Sequence, residues 1–281
     1  MNKTAFLFIC LLANSLFAQS VPKVNGIPLG MVSYTYRFSL QKDMPKTLDS
    51  LKSMKILDME FSSLFGKKAQ EIRQLLDERG MYCSSFGVSY QDALNKPQEV
   101  AANAKALGAK FVRVAWIPHD KPMDLALADK TIADFTTIGK IMKDQYGLEF
   151  CYHNHGFEFT PYQDGTFFDY IAKNTDPRYV NFEMDILWTF FPGMDPAKIL
   201  LQYPKRFKLM HVKDLRKGVA GNFSGQTSPE NDVALGMGQL NLPAIMKAAK
   251  KAKIQHYYIE DESSSHAVQV PQSIQYLEQL R

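Results

Sequence analysis

The stretch GLEFCYHNHGFEF, Gly147 to Phe159, holds the unit from which the fold is read. Its glycine follows an amphipathic segment, Leu125–Gln145, and suits a helix stop, because glycine takes the left-handed cap conformation without steric cost. A mostly apolar run of strand length then begins at Leu148 and finishes in His153, Asn154 and His155. Two of the chain's six histidines thus stand at the end of what reads as a buried strand.

Outward from this stretch the same unit repeats. Strand-length runs fall at Leu29–Tyr34, Ile56–Phe61, Tyr82–Val88, Phe111–Trp116, Leu148–His153, Val180–Asp185, Leu209–Val212 and Tyr257–Asp261. Amphipathic segments lie between them, at Met44–Met54, Ala69–Arg79, Pro97–Leu107, Leu125–Gln145, Phe167–Asn174, Pro196–Gln202 and Leu242–Ala252, with a last one at Gln272–Leu280. Gly80 and Gly108 stop helices as Gly147 does. Eight β-α units without a Pro/Gly/Ser-rich linker predict an α/β fold, a single (β/α)8 TIM barrel. An open doubly wound sheet would carry a Gly-rich phosphate loop after its first strand, where GIPLGMVSYTYR runs instead. The longest irregular stretch, Asp214 to Gln239, follows the seventh strand, on the face where barrel active sites sit.

The first residues, MNKTAFLFICLLANSLFAQS, pair one lysine with a short apolar core and small residues around Ala18. That pattern predicts a cleaved secretory signal over 1–18, a barrel over 19–281, and a periplasmic or secreted location. Ile9 before Cys10 is a poor fit to a lipoprotein cleavage site. No later apolar run is long enough to cross a bilayer, so no stable membrane insertion is expected once the signal is removed. Past the signal only Cys83 and Cys151 remain, which excludes a disulfide framework and suits small buried hydrophobes. A formal net charge of +4 provides no basic footprint for nucleic acid, and the lysines between Lys247 and Lys253 alternate with alanines as on a solvated helix face. The oligomeric state is left open.

Barrel chemistry sits at the C-terminal ends of strands, so the residue that ends each run matters most. The fifth ends in His153, Asn154 and His155, and the sixth in Asp185; the seventh carries His211 and Lys213, and the eighth ends in Glu260, Asp261 and Glu262. In a closed barrel these four ends meet at one mouth. Mixed nitrogen and oxygen donors suit one divalent metal ion, Mn2+, Co2+, Zn2+ or Mg2+, without choosing among them. Residues two apart on a strand share a face, so His153 and His155 point together, as do His211 with Lys213 and Glu260 with Glu262. Within each pair the first can bind metal and the second can reach substrate. Parity also turns Glu149 and Glu183 inward, where carboxylates need partners, and a network orienting the ligands would supply them.

With these residues in place, the chain resembles the xylose-isomerase-like TIM-barrel superfamily, whose members include sugar isomerases and epimerases, inosose and dehydroshikimate dehydratases and type IV AP endonucleases. The resemblance runs from LGMVSYTYR through YHNHGFEF, FEMDILW, LMHVKDL and LGMGQLNLPAIMKAAKKA to YYIEDE. It implies one divalent metal held at the ends of strands five to eight by Glu, Asp, His and Glu. The last three fall on Asp185, His211 and Glu260, whereas the first falls on His153, leaving either His153 or Glu158 to complete the set. His155 and Lys213 fall where dehydratase-like relatives have a histidine and a lysine facing the substrate.

The resemblance implies a metal-dependent sugar isomerase or epimerase acting on a keto or aldo sugar, by α-proton abstraction through a metal-stabilised enediolate, and the predicted signal makes it an exported one. Glu260, His155 and Lys213 are the expected catalytic groups. Trp116, Trp188 and Tyr36 are expected to bind a small-molecule carbohydrate, with Glu60 and Arg113 completing the substrate-binding set. Two alternatives stand beside this reading. One is a lyase that cleaves a keto-glycoside or dehydrates a keto-polyol by β-elimination at the same site. The other is a non-catalytic carbohydrate-binding barrel. A nuclease would need more histidines for a multi-zinc cluster and a basic stripe for a duplex.

Overall fold

Strands that are apolar on both faces need cover on both, and a closed barrel wrapped in helices provides it. The computed structural model describes residues 20–280, so the predicted signal lies outside the described residues. Its barrel strands are β1 Ile27–Val32, β2 Asp58–Phe61, β3 Tyr82–Val88, β4 Phe111–Val114, β5 Glu149–His153, β6 Val180–Asp185, β7 Phe207–Val212 and β8 His256–Ile259. All pair in parallel with their neighbours, and β1 closes the ring by pairing with both β2 and β8. A two-residue strand, Lys23–Val24, turns through Asn25 and Gly26 to pair with the start of β1.

The helices match the sequence reading at Pro97–Leu107, Phe167–Asn174, Pro196–Gln202 and Leu242–Ala252, and end one or two residues early at Met44–Ser53 and Ala69–Asp77. Leu125–Lys140 continues into a π-helical turn, Ile141–Gln145. Gly80, Gly108 and Gly147 follow their helices with φ of 64°, 81° and 70°, the left-handed conformation expected of a stop. Three short helices were not predicted, Arg37–Lys42, Tyr90–Asn95 and Ile186–Phe190, each on the loop after a strand. The final helix starts at His266 rather than Gln272. Pro271 lies inside it.

Strand alternation divides the apolar side chains into two clusters. Val112, Phe150, Tyr152, Phe182, Met210 and Tyr257 join the main core beneath the helices, where burying such a side chain contributes about 1.5–3 kcal/mol. Val32, Phe111, Cys151, Leu209 and Tyr258 form a separate cluster and, by parity, face the barrel axis. Two residues beyond four of them come Arg113, His153, His211 and Glu260, all buried. The strands thus place a polar tier directly above an apolar plug.

The stretch 214–239 is folded rather than structureless. The Asp214 carboxylate accepts the backbone N–H groups of Leu215, Gly236, Gly238 and Leu240, and Leu215 bridges to Asp232. One buried carboxylate so satisfies four donors that no regular element serves. Cys83 and Cys151 are free and buried. No helix among the described residues is long and apolar enough to cross a membrane.

Candidate metal and substrate site

Four consecutive strands deliver four donors to one point. His153 ends β5, Asp185 ends β6, His211 lies within β7, and Glu260 follows β8 directly. Each contributes one atom to a group in which all lie within 4.8 Å of one another. His153 Nε2 is 3.1 Å from His211 Nδ1 and 3.4 Å from Asp185 Oδ2; His211 Nδ1 is 2.9 Å from Glu260 Oε2 and 3.9 Å from Asp185 Oδ2. Donors around a tetrahedral ion with bonds of about 2.0–2.1 Å stand about 3.3 Å apart. The observed separations bracket that value.

The hydrogen-bond account points the same way. Asp185 Oδ1 accepts the Trp188 N–H at 2.8 Å and so caps the helix Ile186–Phe190. Asp185 Oδ2 is buried and finds no hydrogen-bond partner among the described residues, and neither does His153 Nδ1. A bare buried carboxylate oxygen is costly, and a cation at this point would remove the cost. Two imidazole nitrogens and two carboxylate oxygens could therefore hold a divalent metal.

Electrostatics separates these groups by role. Burial raises the Asp185 carboxyl. Burial opposes ionisation of Glu260 too, but the charges on Lys213 and His211 outweigh it and hold Glu260 well below the usual carboxylate range. Burial and then the neighbouring His211 hold His153 well below the usual histidine range. Burial and then His153 do the same to His155, so both rings are neutral at pH 7. His211 lies well above its ordinary value, since Glu183, Glu260 and Glu60 together outweigh its burial.

Above the donors opens a cleft of about 620 Å3, lined in part by Trp116, His155, Trp188, Arg113, Tyr34 and Glu262. His155 is stacked on Trp188 at 5.7 Å and meets Trp116 edge-on at 5.0 Å, and its buried Nδ1 has no partner among the described residues. Lys213 is closed off from solvent. Its Nζ stands 2.8 Å from Glu262, 3.3 Å from Glu260 and 3.4 Å from Asp232, and these carboxylates overcome burial to keep it protonated. Gly225, Gln226, Thr227, Pro229 and Asp232 bring the 214–239 stretch into the cleft wall.

Not every predicted residue reaches this cleft. Tyr36 packs in the main core, edge-on to His266 at 5.0 Å, while Tyr34 lines the cleft in its place. Strand parity cannot be carried to Tyr36, because β1 ends at Val32. Glu60 is fully buried below the cleft, 2.6 Å from Arg113 and 2.8 Å from His211. Glu158 stays outside the donor group: its carboxylate accepts from the Tyr152 hydroxyl and the His155 N–H. Of the two extra inward carboxylates, Glu183 joins Arg113 and His211, whereas Glu149 pairs with Lys110 at the other end of β5. Asp232 went unread because it arrives on a loop with no periodicity to place it.

A family model described as xylose isomerase-like TIM barrel matches residues 51–280. A sugar phosphate isomerase/epimerase from Parabacteroides distasonis ATCC 8503 superposes over 93% of this chain and 95% of its own, with 25% identity and a TM-score of 0.73. An IolI protein with a bound zinc atom covers 90% and 95% of the two chains at 13% identity and a TM-score of 0.68, a likeness of fold alone. An inosose dehydratase from Geobacillus kaustophilus (strain HTA426) is 22% identical over 195 residues, 62% of this chain. The match spans 63% of that relative, less than two thirds of its length.

Proposed function

The chain belongs to the xylose isomerase-like TIM-barrel family, and from that premise we propose that it is a metal-dependent sugar isomerase or epimerase. The observation that carries this reading is the meeting of His153, Asp185, His211 and Glu260 beneath a cleft that also holds a neutral His155. Bound by those four residues, a divalent ion would supply a Lewis acid for neighbouring carbonyl and hydroxyl oxygens of a sugar, acidifying the proton on the hydroxyl-bearing carbon next to the carbonyl. His155, with an unpartnered ring nitrogen and aromatic neighbours, is the group placed to take that proton. Glu260 is ionised and serves as ligand and second proton acceptor. Lys213 holds a positive charge 3.3 Å from Glu260, and Trp116 and Trp188 offer flat apolar faces to a sugar ring.

Elimination is the second reading, and the unlike character of the proton-handling groups favours it. A neutral imidazole faces the cleft from β5, and a protonated lysine, able to assist a departing oxygen, comes from β7. Similarity to an inosose dehydratase agrees with that outcome. Incubation of the metal-loaded protein with keto and aldo sugars and keto-glycosides in D2O decides between them. Deuterium on carbon with every oxygen retained is the expected result. Release of water or an aglycone establishes the lyase instead, and saturable binding without turnover leaves a carbohydrate-binding barrel.

A further inference from the structure

Below the four donors lies a second buried group, Glu60, Glu183 and His211, whose atoms also approach one another closely enough to hold a cation. A cation is already there. The Arg113 guanidinium stands 2.6 Å from Glu60 Oε1 and 3.2 Å from Glu183 Oε2, the latter an ion pair without hydrogen-bond geometry. Gly87 makes room for it, since a Cβ at that position would lie 2.9 Å from the guanidinium carbon.

The acceptor side is equally fixed. Glu60 Oε1 is 2.8 Å from His211 Nε2, and Glu60 Oε2 accepts the Ser85 hydroxyl at 2.6 Å. A register shift between β2 and β3 lets the consecutive Ser84 and Ser85 both reach acidic residues of β2, Ser84 bonding Asp58 and Ser85 bonding Glu60. Bulges of this kind re-aim side chains near functional sites. His211 Nε2 also lies 3.4 Å from Glu183 Oε2, so this nitrogen faces two carboxylates. A lone pair there would be repelled, and an N–H is attracted.

We propose that Glu60 is a positioning residue for metal binding: clamped by Arg113 and Ser85, it accepts the Nε2–H of His211 and so turns the Nδ1 lone pair toward His153, Asp185 and Glu260. This inference rests on the metal-binding reading above and deepens it. Carboxylate partners of metal-bound histidines fix ring orientation and tautomer, and their loss weakens metal binding about tenfold to a hundredfold.

The test is the Zn2+ dissociation constant by chelator competition for wild type, Glu60→Leu and Glu60→Gln. Glu60→Leu removes the acceptor and is expected to weaken Zn2+ binding about tenfold to a hundredfold. Glu60→Gln can keep its oxygen toward His211 and Arg113 with its amide NH2 toward Ser85 Oγ, and is expected to restore most of the affinity. Equal affinity in Glu60→Leu and wild type overturns the proposal, as does a Glu60→Gln no better than Glu60→Leu. Binding of two equivalents of Zn2+ by wild type overturns it too, because the second ion would take the place of the Nε2–H. If Glu60→Leu does not fold, 15N NMR of zinc-loaded wild type decides: His211 protonated at Nε2 supports the assignment, and His211 protonated at Nδ1 refutes it. A wild type that takes up neither Zn2+ nor Mn2+ sinks the metal reading itself, a result distinct from any difference among variants that bind.

Discussion

His153 Nε2 and His211 Nδ1 face each other at 3.1 Å, inside a barrel that leaves both rings almost without solvent. Two imidazole nitrogens at that distance can share one proton or point their lone pairs at one cation. Asp185 Oδ2, 3.4 Å from His153 and bare of hydrogen bonds, makes the second arrangement the better satisfied.

On the metal-binding proposal Asp185 has two tasks, one for each oxygen, and a pair of variants separates them. Asp185→Asn keeps an oxygen to cap Trp188 and is expected to melt close to metal-free wild type while losing bound metal and turnover. Asp185→Ala loses the cap as well, a further cost of about 1 kcal/mol. Metal analysis, activity and thermal melting on both proteins check this. An Asp185→Asn protein that retains stoichiometric metal and activity would show that the donor group is misassigned.

Chelation should lower the melting temperature of the loaded protein. A ligand that binds only the folded chain contributes about 2.7 kcal/mol at a hundredfold excess over Kd, and each kcal/mol shifts the midpoint by about 2–4 °C in a chain of this size. His153→Ala is expected to melt at one temperature with or without added Zn2+, and Glu158→Gln to respond as wild type does. The reverse pattern would transfer the fourth ligand from His153 to Glu158.

Burial pushes the Glu158 carboxyl up to about 7, against hydrogen bonds from the His155 N–H and the Tyr152 hydroxyl that lower it. The folded chain therefore holds this proton more tightly than the unfolded one, and stability is lost as pH rises from the ordinary carboxylate range toward 7. Glu158→Gln mimics the protonated form and escapes the loss. Denaturant midpoints of the two proteins should agree near pH 4 and diverge in favour of the variant up to about pH 7, with a constant gap above it. Parallel profiles throughout would place the Glu158 carboxyl at its ordinary value.

Gly225 seals the 214–239 stretch against the cleft. Its φ of +66° strains any other residue, and a Cβ there would lie 3.1 Å from both His155 Cβ and Phe157 Cδ1. Gly225→Ala should displace His155 or the loop, lowering kcat/KM while leaving metal affinity unchanged, because none of the four donors touches this position. Steady-state kinetics beside a Zn2+ titration separates the two effects.

The barrel was legible because a parallel strand buried on both faces has to be apolar along its length, and the runs ending at Val88, His153, Asp185 and Val212 end there in the structure too. Helix ends were legible where glycine marks them, whereas the final helix begins at His266, ahead of the expected Gln272. The short helices after β1, β3 and β6 leave too few residues for a period to show.

For the site, alternation along single strands was sufficient to put His153 with His155, His211 with Lys213 and Glu260 with Glu262 on the mouth. Those are local facts, set by a repeat of two residues. Depth and partnership are not local. Only closure of the ring puts Glu183 against Arg113 while Glu149, on the inward face of a neighbouring strand, meets Lys110 instead. Closure also carries Glu60 from the expected substrate face to the far side of His211, exchanges Tyr36 for Tyr34 where the strand has ended, and brings Asp232 to Lys213. Chain order decides which way a side chain points, and the shear of one strand on the next decides what it meets there.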